Sequence, residues 1–214
     1  MDKIEKAIKY ATQAHLLQKR KHSGIPYIVH CIEVMKRVSD YGINDEVVLA
    51  SAILHDVKED CDIEYGEKIL TEFGWTIHSI VNECTRSQGD AATKEEKYLF
   101  LKSFENKSIQ SLIIKIADRY CNVRDYMRTP GKEKYASEYA LQAYPLYQSF
   151  FKRHINVMDI IPRQACLKVL GDVIDLNIII NEEYKGFSCL IAGMDNYVRK
   201  MVIGDERNRQ AGRN

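Results

Sequence analysis

Two polar dipeptides four residues apart carry the densest chemistry in this chain: His55-Asp56, then Glu59-Asp60. They lie in DEVVLASAILHDVKED, where AILHDV is apolar on both sides of the His-Asp pair, so the pair is drawn inward. An imidazole and a carboxylate are costly to bury unless a positive partner compensates them, and a divalent cation is one such partner. Spacing of i to i+4 on a helix places Glu59 above His55 and Asp60 above Asp56. One helix would then offer two metal ligands and, a turn later, two carboxylates for general acid–base work. Read without context, both dipeptides are also compatible with solvated charges on a helix surface.

Two further residues stand in contexts that suit the same chemistry. His30 follows GIPYIV, at the start of a helix behind a proline-stiffened loop. Asp118 ends the apolar run SLIIKIAD and needs a partner there; a cation, the backbone or Arg119 would each serve. Asn122 and Asp125 follow Asp118 at one-turn intervals. Two imidazoles and two carboxylates form a mixed N/O set suited to Mn, Fe, Co or Zn and too nitrogen-rich for Ca. Arg20 and Lys21 open the loop RKHSGIP that leads to His30. Two cations on a short loop beside a metal would make a clamp for phosphates, whereas a solvated helix end is the plainer reading of the same charges.

The elements needed to position these groups read almost entirely as helix. Apolar spacing of three and four predicts helices over 2–19, 28–41, 45–59, 64–73, 75–85, 94–105, 108–127 and 132–153. Gly24-Ile25-Pro26, Gly42, Phe73-Gly74 and Pro130-Gly131 mark the breaks. The expected fold class is all-α, a helical bundle with a C-terminal extension of uncertain structure. Residues 1–154 would form the working domain and 155–214 an extension packed on it. Its CLKVLGDVIDLNIIINEE stretch fits helix or strand equally, and 204–214 would be a frayed tail.

Composition excludes several classes. The chain has 214 residues with a formal net charge of +1, so the basic excess of a duplex nucleic-acid binder is missing. No apolar run reaches the roughly 18 residues of a membrane span, and the N-terminus is charged where a secretory signal would be apolar. Six cysteines (Cys31, Cys61, Cys84, Cys121, Cys166 and Cys189) are scattered without a CxxC pair. They are expected to be reduced, which fits a cytoplasmic protein. Neither a nucleic-acid nor a membrane partner is expected, and the sequence is compatible with a homo-oligomer.

His30, His55, Asp56 and Asp118, in the order H…HD…D, resemble the HD phosphohydrolase superfamily. Within it, AHLLQKRKHSGIPYIVH, LHDVKED, FGWTIHSIVNECT and KIADRYCNVRD are similar, block by block, to the hydrolase domain of RelA/SpoT homologues, including its small stand-alone members. The likeness runs over about residues 5–150. It implies that His30, His55, Asp56 and Asp118 bind Mn²⁺, or another divalent transition metal. Glu59 and Asp60 would orient and deprotonate the attacking water. Arg20 and Lys21 would hold substrate phosphates, Asn122 the ribose and the metal shell, and Tyr139 would lie near the nucleotide. The implied activity removes the 3′-pyrophosphate from (p)ppGpp. Alternatives are (p)ppApp hydrolysis, a more general nucleotide phosphohydrolase, or a nucleotide-binding regulatory module. Departures from the family pattern are Cys31, Lys58 and Cys61, none of which removes a ligand.

Overall fold

A computed structural model describes residues 2–87 and 89–158, together with Lys168, Val169, Gly171, Asp172 and Asp175. The described residues are helical, with ten α-helices and no β-strand beyond one isolated bridge. The all-α expectation holds. In chain order the helices are α1 (Lys3–Ala14), α2 (Ile28–Asp40), α3 (Glu46–Leu54), α4 (Val57–Asp60), α5 (Ile63–Phe73), α6 (Trp75–Cys84), α7 (Lys94–Lys102), α8 (Ile109–Arg128), α9 (Glu133–Gln142) and α10 (Tyr144–Met158).

α3 lies at the centre because its sequence leaves it no polar face. Every residue from Val48 to Leu54 is buried, and an all-round apolar helix can be stable only when covered on all sides. α1, α2 and α6 supply the cover. Asp45 starts α3 by accepting hydrogen bonds from the amides of Val47 (2.7 Å) and Val48 (3.2 Å), which fills two of the vacant donors at a helix N-terminus. The long α8 packs against α2, α6, α9 and α10. Its run Leu112–Ala117 is wholly buried. The site residues of α2 and α8 and those that follow α3 are thus carried on buried stretches of these helices.

Two predicted helices are divided. The 45–59 segment breaks at His55-Asp56, where Asp56 has φ −102° and ψ −6° before α4 begins. The break is where both side chains turn into the interior. The 132–153 segment breaks after Gln142, and α10 restarts at Tyr144 with Pro145 in its first turn. Proline lacks the amide that a continuing helix would use but is at home in a first turn. The first helix stops at Ala14 rather than 19. From there the chain folds into a tight hairpin: Lys19 pairs with Pro26, the amide of Tyr27 donates to Gln18 O (3.0 Å) and that of Arg20 to Ile25 O (2.9 Å). Gly24, at φ 69°, occupies the left-handed region that the turn requires.

Cys31, Cys61, Cys84 and Cys121 are free thiols; Cys166 and Cys189 lie outside the described residues, as do the 204–214 tail and most of the 166–183 stretch. Of the later residues, Asp172 accepts a hydrogen bond from the Tyr41 hydroxyl (2.6 Å) and pairs with Arg37 of α2.

Truncating Leu112, fully buried in α8 and outside the cavity lining, should cost about 2–5 kcal/mol of stability. Urea unfolding of Leu112→Ala would check this, and a change below about 0.5 kcal/mol would contradict the packing described.

Candidate active site

The helix ends bring four polar side chains to one buried point. His30 comes from the first turn of α2, His55 and Asp56 from the α3–α4 break, and Asp118 from the middle of α8. One ligand atom from each lies within 4.8 Å of all the others. His30 Nε2 is 3.2 Å from Asp118 Oδ1 and 3.6 Å from Asp56 Oδ2. His55 Nε2 is 3.0 Å from Asp56 Oδ2 and 3.7 Å from Asp118 Oδ1. None of the four residues is more than 6% exposed.

The donor set fits a divalent cation. His55 Nδ1 faces the carbonyl oxygen of Ala52 at 2.8 Å, so Nδ1 carries a hydrogen and Nε2 is turned to the centre. That buried Nε2 has no hydrogen-bond partner, and neither nitrogen of His30 has one. Buried polar atoms rarely stay unpaired. Imidazole nitrogens left unpaired around two carboxylates are what a metal would satisfy.

A surrounding layer fixes the carboxylates. Lys115 Nζ sits 2.9 Å from Asp118 Oδ2, and Asn122 Nδ2 donates to Asp118 Oδ1 at 2.5 Å. Burial would raise the Asp118 pKa, but Lys115 together with His30 and His55 outweighs it and holds the carboxyl well below its usual range. The partner of Asp118 is therefore Lys115, one turn back, and not Arg119. The Tyr27 hydroxyl reaches both Asp56 Oδ2 (2.8 Å) and Asp60 Oδ2 (3.0 Å). Burial and these two carboxylates push its pKa up, so Tyr27 remains a neutral donor linking Asp56 to Asp60. His15 stacks on Tyr27 with centroids 4.8 Å apart and fixes the ring.

The two carboxylates after the His-Asp pair have different surroundings. Asp60 shares Tyr27 with Asp56, as the spacing predicts. Glu59 instead pairs with Arg86, whose guanidinium and backbone amide (3.0 Å) both donate to it. The break in the helix turns Glu59 toward the loop after α6. Lys58 points away and donates to Asn82.

Arg20 is carried by the hairpin across to α8. It donates through Nη2 to Asn122 Oδ1 (2.7 Å) and through Nη2 and Nε to Asp125 Oδ2 (3.0 and 3.2 Å). Asn122 therefore joins the Arg20 hairpin to Asp118. Beside the four-residue cluster opens a cavity of about 430 Å³, within the usual range for small-molecule sites. Arg20, Lys21, Glu59, Asp60, Asn122 and Tyr139 all line it. Every residue singled out in the sequence for this site thus lies in or beside one cavity. Sequence reasoning missed Tyr27, Arg86 and Lys115. Lys115 stands one turn before Asp118, a spacing that could have revealed it; the other two are remote in sequence from what they hold.

The family profile described as HD domain matches residues 7–154, and the chain belongs to that family, among its alarmone hydrolases. The guanosine-3′,5′-bis(diphosphate) 3′-pyrophosphohydrolase MESH1 of Homo sapiens is 36% identical over 124 residues, 57% of this chain and 68% of that protein. The Xenopus tropicalis protein of the same name is 34% identical over 127 residues, 58% of this chain and 70% of its own length. A putative chloroplastic GTP diphosphokinase, RSH1, of Oryza sativa subsp. japonica is 32% identical over 147 residues. These cover 62% of this chain but 16% of that much longer protein. The solved structure of a metazoan orthologue of SpoT, described as hydrolysing ppGpp, superposes with a TM-score of 0.68 at 26% identity. The superposition covers 86% of this chain and 96% of that one. No helix among the described residues is long and apolar enough to cross a membrane.

In the metal-free protein, burial alone would lower the His55 pKa, but Asp56 and Asp118 outweigh it and push it up to about 10. The folded value lies above the ordinary 6.5. This pairing therefore stabilises the metal-free fold fully below that value, and the stabilisation is lost as pH rises through about 10. A divalent cation must displace the proton. Its binding near neutral pH should release about one proton per site and weaken as pH falls. Calorimetry in buffers of differing ionisation enthalpy measures the release; binding that does not vary with pH between 6 and 9 would contradict this electrostatic picture.

Proposed function

We propose that the protein is a metal-dependent pyrophosphohydrolase that removes the 3′-pyrophosphate of (p)ppGpp, leaving GDP or GTP and pyrophosphate. The observation that carries this reading is the link from Arg20 through Asn122 to Asp118. It sets a cationic hairpin at the rim of a cavity that Asp56 and Asp118 of the four-residue cluster line, with His30 and His55 behind them. The alarmone hydrolases similar in sequence and fold support the same substrate. In this reading residues 1–154 are the hydrolase domain and 155–214 an extension of it.

His30, His55, Asp56 and Asp118 would hold the cation, with Mn²⁺ the expected ion. When bound, a divalent cation there supplies Lewis acidity to phosphoryl oxygens and makes water more acidic. The chain's own residues do the rest. Arg20 and Lys21 receive substrate phosphates at the rim, and Asn122 holds the ribose while tying the rim to Asp118. Asp60, linked through the Tyr27 hydroxyl to Asp56, accepts the proton of the attacking water. Glu59, held by Arg86, orients that water. The water oxygen bonds to the phosphorus attached to O3′, the P–O3′ bond breaks, and the ribose oxygen leaves as a hydroxyl after taking up a proton. Tyr139 lies beside the nucleotide.

Purified protein with ppGpp and Mn²⁺ should release pyrophosphate, and EDTA should stop it. Asp60→Asn should lower kcat by roughly 10²–10⁴ while leaving metal content unchanged. Absence of turnover by metal-loaded protein would refute the reading.

A further inference from the structure

Four of the cationic side chains lining the cavity differ sharply in what they touch. Lys115 is paired with Asp118, Arg20 with Asp125 and Arg86 with Glu59. Arg119 makes no ion pair among the described residues, although it is only 5% exposed. Its Nε and Nη1 have no hydrogen-bond partner, which leaves three N–H bonds unsatisfied. The guanidinium carbon lies 3.7 Å from the centroid of the Tyr139 ring, and Tyr139 is braced edge-on by Tyr126, with centroids 5.4 Å apart.

Such an arrangement is costly without a ligand. A guanidinium does not shed its proton, so burial cannot be relieved by neutralisation. Stacking on Tyr139 compensates one face of the cation but leaves the in-plane N–H groups dry. A buried charge without hydrogen-bonding counterparts is strongly unfavourable. A phosphate group entering the cavity would supply both the charge and the acceptor oxygens.

The position selects which phosphate. Arg119 follows Asp118 directly and lies one turn beyond Lys115 on α8, whereas Arg20 is half-buried and Lys21 exposed on the hairpin. An anion on Arg119 would lie at depth beside the metal-ligand cluster, not at the rim. We propose that Arg119, stacked on Tyr139, receives the distal phosphate of the 3′-pyrophosphoryl group and so selects diphosphate over monophosphate esters. This rests on the function proposed above. The distal phosphate makes and breaks no bond in the reaction: water adds to the proximal phosphorus and the P–O3′ bond opens. Arg119 is accordingly a specificity residue, and its loss should act on KM more than on kcat.

The test uses inorganic pyrophosphate and orthophosphate as probes of metal-loaded full-length protein, freed of excess ion, with metal content measured after each titration. Arg119→Met should bind pyrophosphate about tenfold or more weakly, the loss expected for charge-assisted hydrogen bonds, with orthophosphate affinity changed by less than about threefold. Arg119→Lys keeps the charge and should fall between Arg119→Met and the parent; it carries the test alone if Arg119→Met does not fold by circular dichroism. Pyrophosphate affinity unchanged in the folded variants would overturn the proposal, even with ppGpp turned over normally. Selective loss of pyrophosphate affinity in a protein that does not hydrolyse ppGpp would uphold the subsite and reject the proposed reaction.

Discussion

Two carboxylates, Asp56 and Asp118, are buried against two imidazoles, and this local concentration of charge organises the surrounding structure. Isolated, each carboxylate would be protonated or expelled from so dry a place. Instead each is held by positive or hydrogen-donating groups: Lys115 and Asn122 on Asp118, Tyr27 and His55 on Asp56. The apolar helices exist around this point as a box. α3 is covered on all sides and ends at the His-Asp pair, and α8 carries Asp118 within its most buried stretch.

The same constraint explains why most buried cations of the cavity wall are paired, with Arg119 the exception. Arg20, Arg86 and Lys115 are each fixed by a carboxylate, so their positions are set before a ligand arrives. Such preorganisation lowers the cost of ordering on binding. It also links the hairpin at the rim to the cluster through the amide of Asn122 and the hydroxyl of Tyr27.

Much of this was legible in the sequence where the signal was local. The all-round apolar α3, the glycine and proline breaks and the residues flanking His55 and Asp118 all act over a few positions, and the helices and the burial of His55 and Asp118 followed from them. What was not legible depends on distant partners. Glu59 was expected above His55 on an unbroken helix, but the chain breaks at Asp56 and Glu59 meets Arg86, 27 residues on. Arg20 finds Asp125 across 105 residues. Arg119 was a candidate partner for Asp118, yet a one-residue step turns its side chain about 100° around the helix axis, and it meets Tyr139 instead. The break before Tyr144 had a local cause, Pro145, that periodicity alone passed over.

In the proposed function His30, His55, Asp56 and Asp118 hold one divalent cation together. Anomalous diffraction from crystals grown with Mn²⁺, recorded at the manganese edge, tests it most directly. One strong peak per chain is expected, about 2 Å from an atom of each of the four side chains. No peak there in metal-loaded crystals, or a peak elsewhere in the cavity away from these four residues, would contradict it.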